Sequence, residues 1–294
     1  MDKIYEDITI VTVLYDSSDL VFELIKDLEN FKIIVVDNGK NEKILKKLIN
    51  FKNIKIITKK KNLGYGRAIN FAFDNISSKY FFVLNPDLVI SEDSINNLYN
   101  LMIKNPKAGI VAPVTYPDKD FYGTFPEKKL KNIRKQVEIN SLNLLSNSKI
   151  EGEICVDVAK GCALLINSNH FKEVGKFNEK YFLFWEEIDL CRNLKSKKYS
   201  VLISPNSFAT HQQGSSSKRS VRNFIIKTFY SEYSPLIYFN VQKISSFIIY
   251  KQIRYFFRSF AYLLILNLKK SSINLIKLYA NIKYFFDLKI SSKN

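Results

Sequence analysis

The sequence predicts an α/β chain, a mostly parallel sheet flanked by helices and followed by a basic, aromatic helical segment. Three observations carry this. Short β-branched and aromatic runs alternate with helical patterns through about two-thirds of the 294 residues, as βαβ units require. Polar or acidic residues follow one such run after another. Positive charge gathers at the end: from Lys218 onward there are 14 Lys/Arg against 2 acids, which leaves +5 of the net +17 to residues 1–217.

Strands are expected at Ile8–Leu14, Lys32–Val36, Ile54–Thr58, Tyr80–Leu84 and Ile110–Val114. Helical patterns lie between them near Ser18–Asn30, Glu42–Asn50, Tyr65–Ile76 and Glu92–Lys104, the last stopping before Pro106 because a residue preceding proline disfavours helix. Tyr116–Glu153 is charged and lacks a clear period, so a connection or partly helical insertion is expected there. The apolar run Val156–Asn167 follows, then a helix start at Asn167-Ser168. A helix opening at Glu186-Glu187 and closing near Lys197 has its acids at the positive end and bases at the other. Tyr199–Ile203 reads as a strand. The expected division is 1–217 and 218–294.

Cys155, Cys162 and Cys191 have no CxxC spacing and sit in apolar or helical patterns, which predicts buried thiols in a reducing compartment and no disulfide framework. The N-terminus carries acids and no apolar h-region, so secretion is not expected. In an open α/β sheet, ligands bind beyond the carboxyl ends of the strands. Those ends carry Tyr15-Asp16, Asp37-Asn38-Gly39, Asn62-Leu63-Gly64-Tyr65-Gly66-Arg67 and Asn85-Pro86-Asp87. Each alone has a plainer reading: a turn, a glycine loop matching no phosphate signature, a helix cap. Their succession at four strand ends points to a site.

These four segments, with Lys160-Gly161-Cys162, Phe184-Trp185-Glu186-Glu187-Ile188-Asp189 and His211 before Gly214-Ser215-Ser216, resemble glycosyltransferase family 2, especially its rhamnosyltransferase-like branch. The resemblance covers roughly residues 8 to 220 and implies a GT-A nucleotide-diphospho-sugar transferase fold. It also implies inverting transfer of a sugar to a hydroxyl of a lipid-linked surface glycan, in polysaccharide, lipopolysaccharide or capsule assembly. By the same resemblance Thr12, Tyr15, Asp37 and Asn38 line the nucleoside pocket. A carboxylate there accepts hydrogen bonds from a base or ribose, and an aromatic ring offers a stacking surface. Asn62, Gly64 and Arg67 approach the diphosphate. Asn85 and Asp87 stand where the family has its DxD variant, so Asp87 is the implied ligand of Mg²⁺ or Mn²⁺, with His211 as a further metal or phosphate contact. His170 has no such context.

Glu186, Glu187 and Asp189 match the family's acidic motif, with Glu187 where an Asp is usual. Glu187 is the expected general base, which takes the proton of the acceptor hydroxyl, and Glu186 and Asp189 remain alternatives. Trp185 is expected beside the sugar. In the tail, clusters such as Arg254-Tyr255-Phe256-Phe257-Arg258 suit an anionic membrane surface or helices packed on the catalytic domain. The apolar stretch Ser259–Leu268 is too short to span a bilayer. A cytoplasmic protein, peripheral on the inner face of the plasma membrane, is the expected setting. A nucleic-acid-binding protein using the basic tail explains the charge but not the strand-end acids, and no nucleic acid is expected as partner. A nucleotidyltransferase lacks its glycine-rich signature, and a catalytically silent family member is the remaining alternative.

Overall fold

A computed structural model describes residues 2–17, 19–39, 41–59, 61–116, 154–211, 220–242 and 246–291, with the backbone alone for residues 2, 211 and 291. They fall into two compact units. The first holds residues 2–116, 154–179 and 186–211; the second holds Lys180–Trp185 and the described residues from 220 on. The insertion expected after Tyr116 lies outside the described residues.

The first unit runs α1 (Asp2–Asp7), β1 (Ile8–Leu14), α2 (Val21–Lys26), β2 (Lys32–Asp37), α3 (Glu42–Leu48), β3 (Ile54–Thr58), α4 (Tyr65–Phe73), β4 (Tyr80–Leu84), β5 (Leu88–Ile90), α5 (Glu92–Lys104) and β6 (Ala108–Tyr116), then β7 (Ile154–Val156), β8 (Ala163–Asn167), α6 (Ser168–Glu173), α7 (Glu186–Ser196) and β9 (Ser200–His211). Among the described residues one sheet has the order β3-β2-β1-β4-β8-β6-β9-β5, with β7 also paired to β9.

Residue parity explains why helices cover both faces. Successive side chains of a strand point to opposite sides. In β1, Ile8, Ile10 and Leu14 join one apolar cluster, whereas Val11 and Val13 join another. In β2, Ile33 and Val35 are separated in the same way from Ile34 and Val36. The first cluster is closed by residues of α2, α3 and α5, including Leu24, Ile44 and Leu98. The second is closed by α4, α6 and α7 through Ile69, Phe171 and Leu190.

The sheet is mixed, which corrects the mostly parallel expectation. Strands β3, β2, β1 and β4 are parallel, but β8 runs against both its neighbours, β4 and β6. β6 and β9 are parallel again, and β5 and β7 oppose β9. Apolar periodicity reports that both faces of a strand are buried; it carries no information on direction. The helix expected over 18–30 shortens to Val21–Lys26, and β9 continues past Ile203 to His211 across a register shift opposite Pro113/Val114. Where a cap is present, bounds match the sequence closely: Ser91 accepts from the Ser94 amide at the start of α5, and Asn167 accepts from Asn169 and His170 at the start of α6, each satisfying amides that a helix start leaves unpaired. Cys162 and Cys191 are buried as expected, but Cys155 is exposed. It lies in three-residue β7, which pairs only with β9.

The second unit contains α8 (Val221–Tyr238), α9 (Ser246–Leu264) and α10 (Leu268–Ser291). One buried carboxylate joins all three helices. Glu232 of α8, 7% exposed, pairs with Lys251 of α9 and accepts hydrogen bonds from Tyr255 Oη at 2.8 Å and from Asn281 Nδ2 of α10 at 2.9 Å. Leu236, Ile248 and Tyr284 pack beside it. Breaking a buried ion pair strands the remaining charge, at a cost of about 3–5 kcal/mol. Glu232→Ala should therefore lower the unfolding free energy read from the helical signal in denaturant melts by an amount of that order. A change below about 1 kcal/mol would show that water screens the pair.

Candidate active site

The carboxyl ends of β2 and β1 are held in register by a backbone bond, Asn38 N–H to the Leu14 carbonyl at 2.8 Å. Asp37, at the last position of β2, is 9% exposed. Its Oδ1 accepts from Asn41 Nδ2 at 2.7 Å and from the Gly39 amide at 3.2 Å. Tyr15 stands against this turn: a Cβ on Gly39 would come within 2.8 Å of Tyr15 Cδ2, so only glycine lets the ring lie there. Thr12 is fully buried, and its hydroxyl has no hydrogen-bond partner among the described residues.

Asn38 ties this corner to the next loop. Its Nδ2 donates to Asn62 Oδ1 and to the Gly64 carbonyl, both at 2.8 Å, and its Oδ1 accepts from the Leu63 amide at 2.7 Å. Asn62 Oδ1 also accepts from the Gly64 amide. Gly64 has φ 83° where α4 begins, in the left-handed region that glycine occupies without strain. Arg67, one turn into α4, donates from Nε to the Glu179 carbonyl at 2.6 Å.

The centre of the site is Tyr65. Its hydroxyl lies 2.7 Å from the Gly161 carbonyl and 3.0 Å from the side-chain amide of Asn85. A phenol has one proton, which the shorter contact takes. Asn85 Oδ1 is the second acceptor within reach of that proton. Topology makes this meeting unavoidable. Because β8 opposes β4, the residues entering β8 lie beside those leaving β4, and the Asn85 amide bonds to the Cys162 carbonyl at 2.9 Å. Gly161 in turn touches Glu187, since a Cβ there would lie 3.4 Å from the Glu187 Cβ and Cγ. Burial first, then repulsion from Cys162, Glu186, Glu187 and Asp87, pushes the Tyr65 phenol well above the usual tyrosine range. All four groups therefore lie near enough to act on its charge.

Asp87 is 2% exposed and Glu186 is 4% exposed, with Glu186 Oε2 lacking a hydrogen-bond partner among the described residues. Burial, reinforced by repulsion from Glu187, raises the Glu186 carboxyl well above the ordinary range; a backbone hydrogen bond opposes this. The neutral acid is the form this environment favours. Asp189 is placed differently. It is paired with Arg192 at 2.5 Å and accepts from Asn178 and Asn193 at 3.3 Å. Phe184 and Trp185, both at positive φ, precede α7. The Trp185 ring lies against Tyr238 and Phe239 within the second unit. The His211 side chain lies outside the described residues, but its backbone pairs with Leu88, next to Asp87. His170 stacks on Tyr199 and meets the Ala108 carbonyl, a structural arrangement.

Among the described residues no three His, Cys, Asp or Glu side chains form a metal-binding group. Buried Asp87 suits a cation that takes one protein carboxylate and draws its other ligands from phosphate and water, the usual habit of Mg²⁺. Tyr65 and Gly161 were absent from the residues expected at the site. Tyr65 lies in the segment after β3, but an aromatic at a helix start reads as core, and nothing in spacing announces that its hydroxyl reaches 96 residues along the chain.

With fold and site in place, the comparisons are decisive on family. Residues 9–168 match the model of "Glycosyl transferase family 2", and the chain belongs to that family. It is similar to a low-salt glycan biosynthesis hexosyltransferase, Agl10, of Haloferax volcanii (25% identity, 67% of this chain and 64% of that one). It is also similar to the N-acetylglucosaminyl-diphospho-decaprenol L-rhamnosyltransferase of Mycobacterium tuberculosis (22%, 64% and 68%). In fold it resembles the mannosyltransferase PcManGT of Pyrobaculum calidifontis, solved with GDP-Man and Mn²⁺ (TM-score 0.55, 11% identity, 96% of this chain and 87% of that one). The GT-A fold expectation holds. The nucleic-acid-binding and silent-member alternatives are not favoured.

Two measurements test the geometry. Tyr65→Phe leaves the Gly161 carbonyl and the Asn85 amide without their shared partner, and should cost about 1–3 kcal/mol of stability in denaturant melts. For Glu186, a folded-state carboxyl that binds its proton more tightly than the unfolded one loses stability as pH rises from the ordinary carboxylate range through the raised folded value. Thermal melts across that range should fall with pH in the wild type, and Glu186→Gln should flatten the slope. An identical slope in both proteins would show that Glu186 ionises freely.

Proposed function

We propose that the protein is an inverting glycosyltransferase that moves a sugar, rhamnose being the first candidate, from a nucleotide-diphospho-sugar to a hydroxyl of a lipid-linked glycan. The observation that carries this is the Tyr65 hydroxyl, which joins the Gly161 carbonyl, packed against Glu187, to Asn85 in the segment that carries buried Asp87, at the strand ends where nucleotides bind in such sheets. The mycobacterial relative's name specifies a diphospho-decaprenol acceptor, and the archaeal relative's specifies glycan biosynthesis. The first supports an acceptor on a lipid carrier and the second a glycan product; assembly of surface polysaccharide, capsule or lipopolysaccharide on the inner face of the membrane is the setting this reading assigns.

In this reading Asp37 and Asn38 receive the base or ribose, Tyr15 offers its face to the base, and Thr12 supplies a hydroxyl. Asn62, Gly64 and Arg67 line the diphosphate. Asp87, with Asn85 beside it and His211 one pairing step away, would hold Mg²⁺ or Mn²⁺. Such a cation offsets charge on the departing diphosphate. Glu187 is the base. As the acceptor oxygen forms its bond to the anomeric carbon, the hydroxyl proton passes to a Glu187 oxygen and the anomeric C–O bond to phosphate breaks, with inversion. Burial raises the Glu186 carboxyl and favours its neutral form, so the base role goes to Glu187 in this reading. Asp189, engaged by Arg192, orients α7.

The test is sugar transfer by purified protein screened against nucleotide sugars, with Mg²⁺, with Mn²⁺ and with chelator. Glu187→Gln should lower kcat by ~10²–10⁴-fold, and Asp87→Ala should abolish the response to metal. Retention of activity within about tenfold in Glu187→Gln, well below the usual general-base contribution, would reassign the base. Equal rates with and without chelator would remove the metal.

A further inference from the structure

The two last helices are built inside out. In the seam between α9 and α10 the buried side chains include Ser259, Ser271, Asn274, Ala280 and Asn281. Ser259 Oγ meets Ser271 Oγ at 2.9 Å and the Ser271 carbonyl at 3.1 Å. Ile248, Tyr255 and Tyr284 are buried near Glu232, but most of the other large apolar side chains face outward. Ile249, Ile253, Phe256, Phe257, Phe260 and Leu264 are all exposed, and their spacing of 4, 3, 1, 3 and 4 residues places them on one side of α9. The stripe is about 22 Å long at 1.5 Å per residue. α10 exposes a second one through Leu275, Tyr279, Ile282 and Phe286. A water-facing hairpin has the opposite arrangement. Small and hydrogen-bonding residues inside with apolar residues outside is the pattern of helices packed in lipid.

The turn between the helices repeats this preference. Leu266 has φ 54° and is 82% exposed, and the next amide, Asn267 N–H, closes onto the Tyr262 carbonyl at 2.8 Å. Glycine or asparagine takes this left-handed position without the strain a leucine bears. A strained, exposed leucine stabilises nothing in water. Charge indicates what covers it. Residues 246–291 hold eight Lys/Arg and one acid, Asp287, and Asp287 is already paired with Lys283. Arg254 and Arg258, at i and i+4, form a basic row on α9 apart from the apolar stripe, while Lys251 is engaged by Glu232. Two copies of this hairpin would bring like charges together. An anionic headgroup layer would neutralise them.

We propose that the α9–α10 hairpin is a monotopic anchor, seating its apolar stripes and the Leu266 turn in one leaflet of an anionic bilayer while the basic row meets the headgroups. No helix among the described residues is long and apolar enough to cross a membrane, so the hairpin enters one leaflet only. The inference rests on the membrane-surface setting proposed above and gives that contact its element; it is independent of the sugar chemistry.

Flotation of the full chain with vesicles tests it, using phosphatidylcholine alone and phosphatidylcholine with phosphatidylglycerol at roughly 3:1, an anionic surface. The wild type should float with the anionic vesicles. Phe256→Ser/Phe260→Ser/Leu264→Ser should stay at the bottom with its helical signal intact. Arg254→Gln/Arg258→Gln should weaken anionic binding by roughly 30-fold, the effect of two surface charges. Leu266→Gly separates anchoring from folding: relief of the left-handed strain raises Tm while partitioning falls, by ~10-fold for one buried leucine. Wild type that remains at the bottom with both vesicles overturns the anchor, as does a dimer in sedimentation equilibrium that the triple variant converts to monomer. Protein that floats but turns over no nucleotide sugar overturns the proposed activity and leaves the anchor standing.

Discussion

Because β8 runs against β4 and β6, its amino end reaches the same edge of the sheet as the carboxyl ends of β1 to β4, and the site depends on that reversal. A parallel β8 would deliver Gly161 and Cys162 to the opposite edge. As built, Gly161 stands between two partners: its carbonyl accepts from Tyr65, and its missing side chain leaves room for Glu187. Tyr65 then links the residues after β4 to those before β8. Three segments distant in the chain are held by one hydroxyl and one glycine.

The carboxylates beside that link have different environments although they lie close together. Glu186 is taken out of water without a partner for one oxygen, and desolvation favours its neutral form. Asp189 is equally buried but is paired with the Arg192 guanidinium. Consecutive positions on a helix point about 100° apart, so neighbouring acids on α7 face different surroundings. The positions alone do not say which acid meets which surroundings.

The second unit reverses the usual distribution of residue types. Near α8 its centre is a charge network around Glu232, and farther along α9 and α10 it is a seam of serines and asparagines, with leucines and phenylalanines outside. Buried polar groups held by hydrogen bonds fix the register of the hairpin in any solvent, because each would cost free energy if left unpaired. The outward apolar stripes lower the free energy only where water is replaced by another apolar medium.

Much of the first unit was legible because its signals are local. Strands β1, β3 and β4 and helix α5 lie where β-branched periodicity, apolar spacing and the Ser91 cap place them. The polar residues at successive strand ends mark the edge where the candidate site lies, since that rule follows from the direction of parallel strands alone. Strand β5, three residues long, is below the length at which a period can be read, and β9 past Ile203 holds polar residues that alternate with no clear face. The exposed Cys155 sits on a strand paired only with β9, which apolar context does not reveal. By itself the sequence determined which residues are apolar on two faces, where helices start, and which motifs lie at strand ends. Only tertiary structure decided the reversal of β8, the reach of Tyr65 to Gly161, the different surroundings of Glu186 and Asp189, and the outward face of the hairpin. Each of these is set by contacts between residues far apart in the chain, and local propensity carries no record of such contacts.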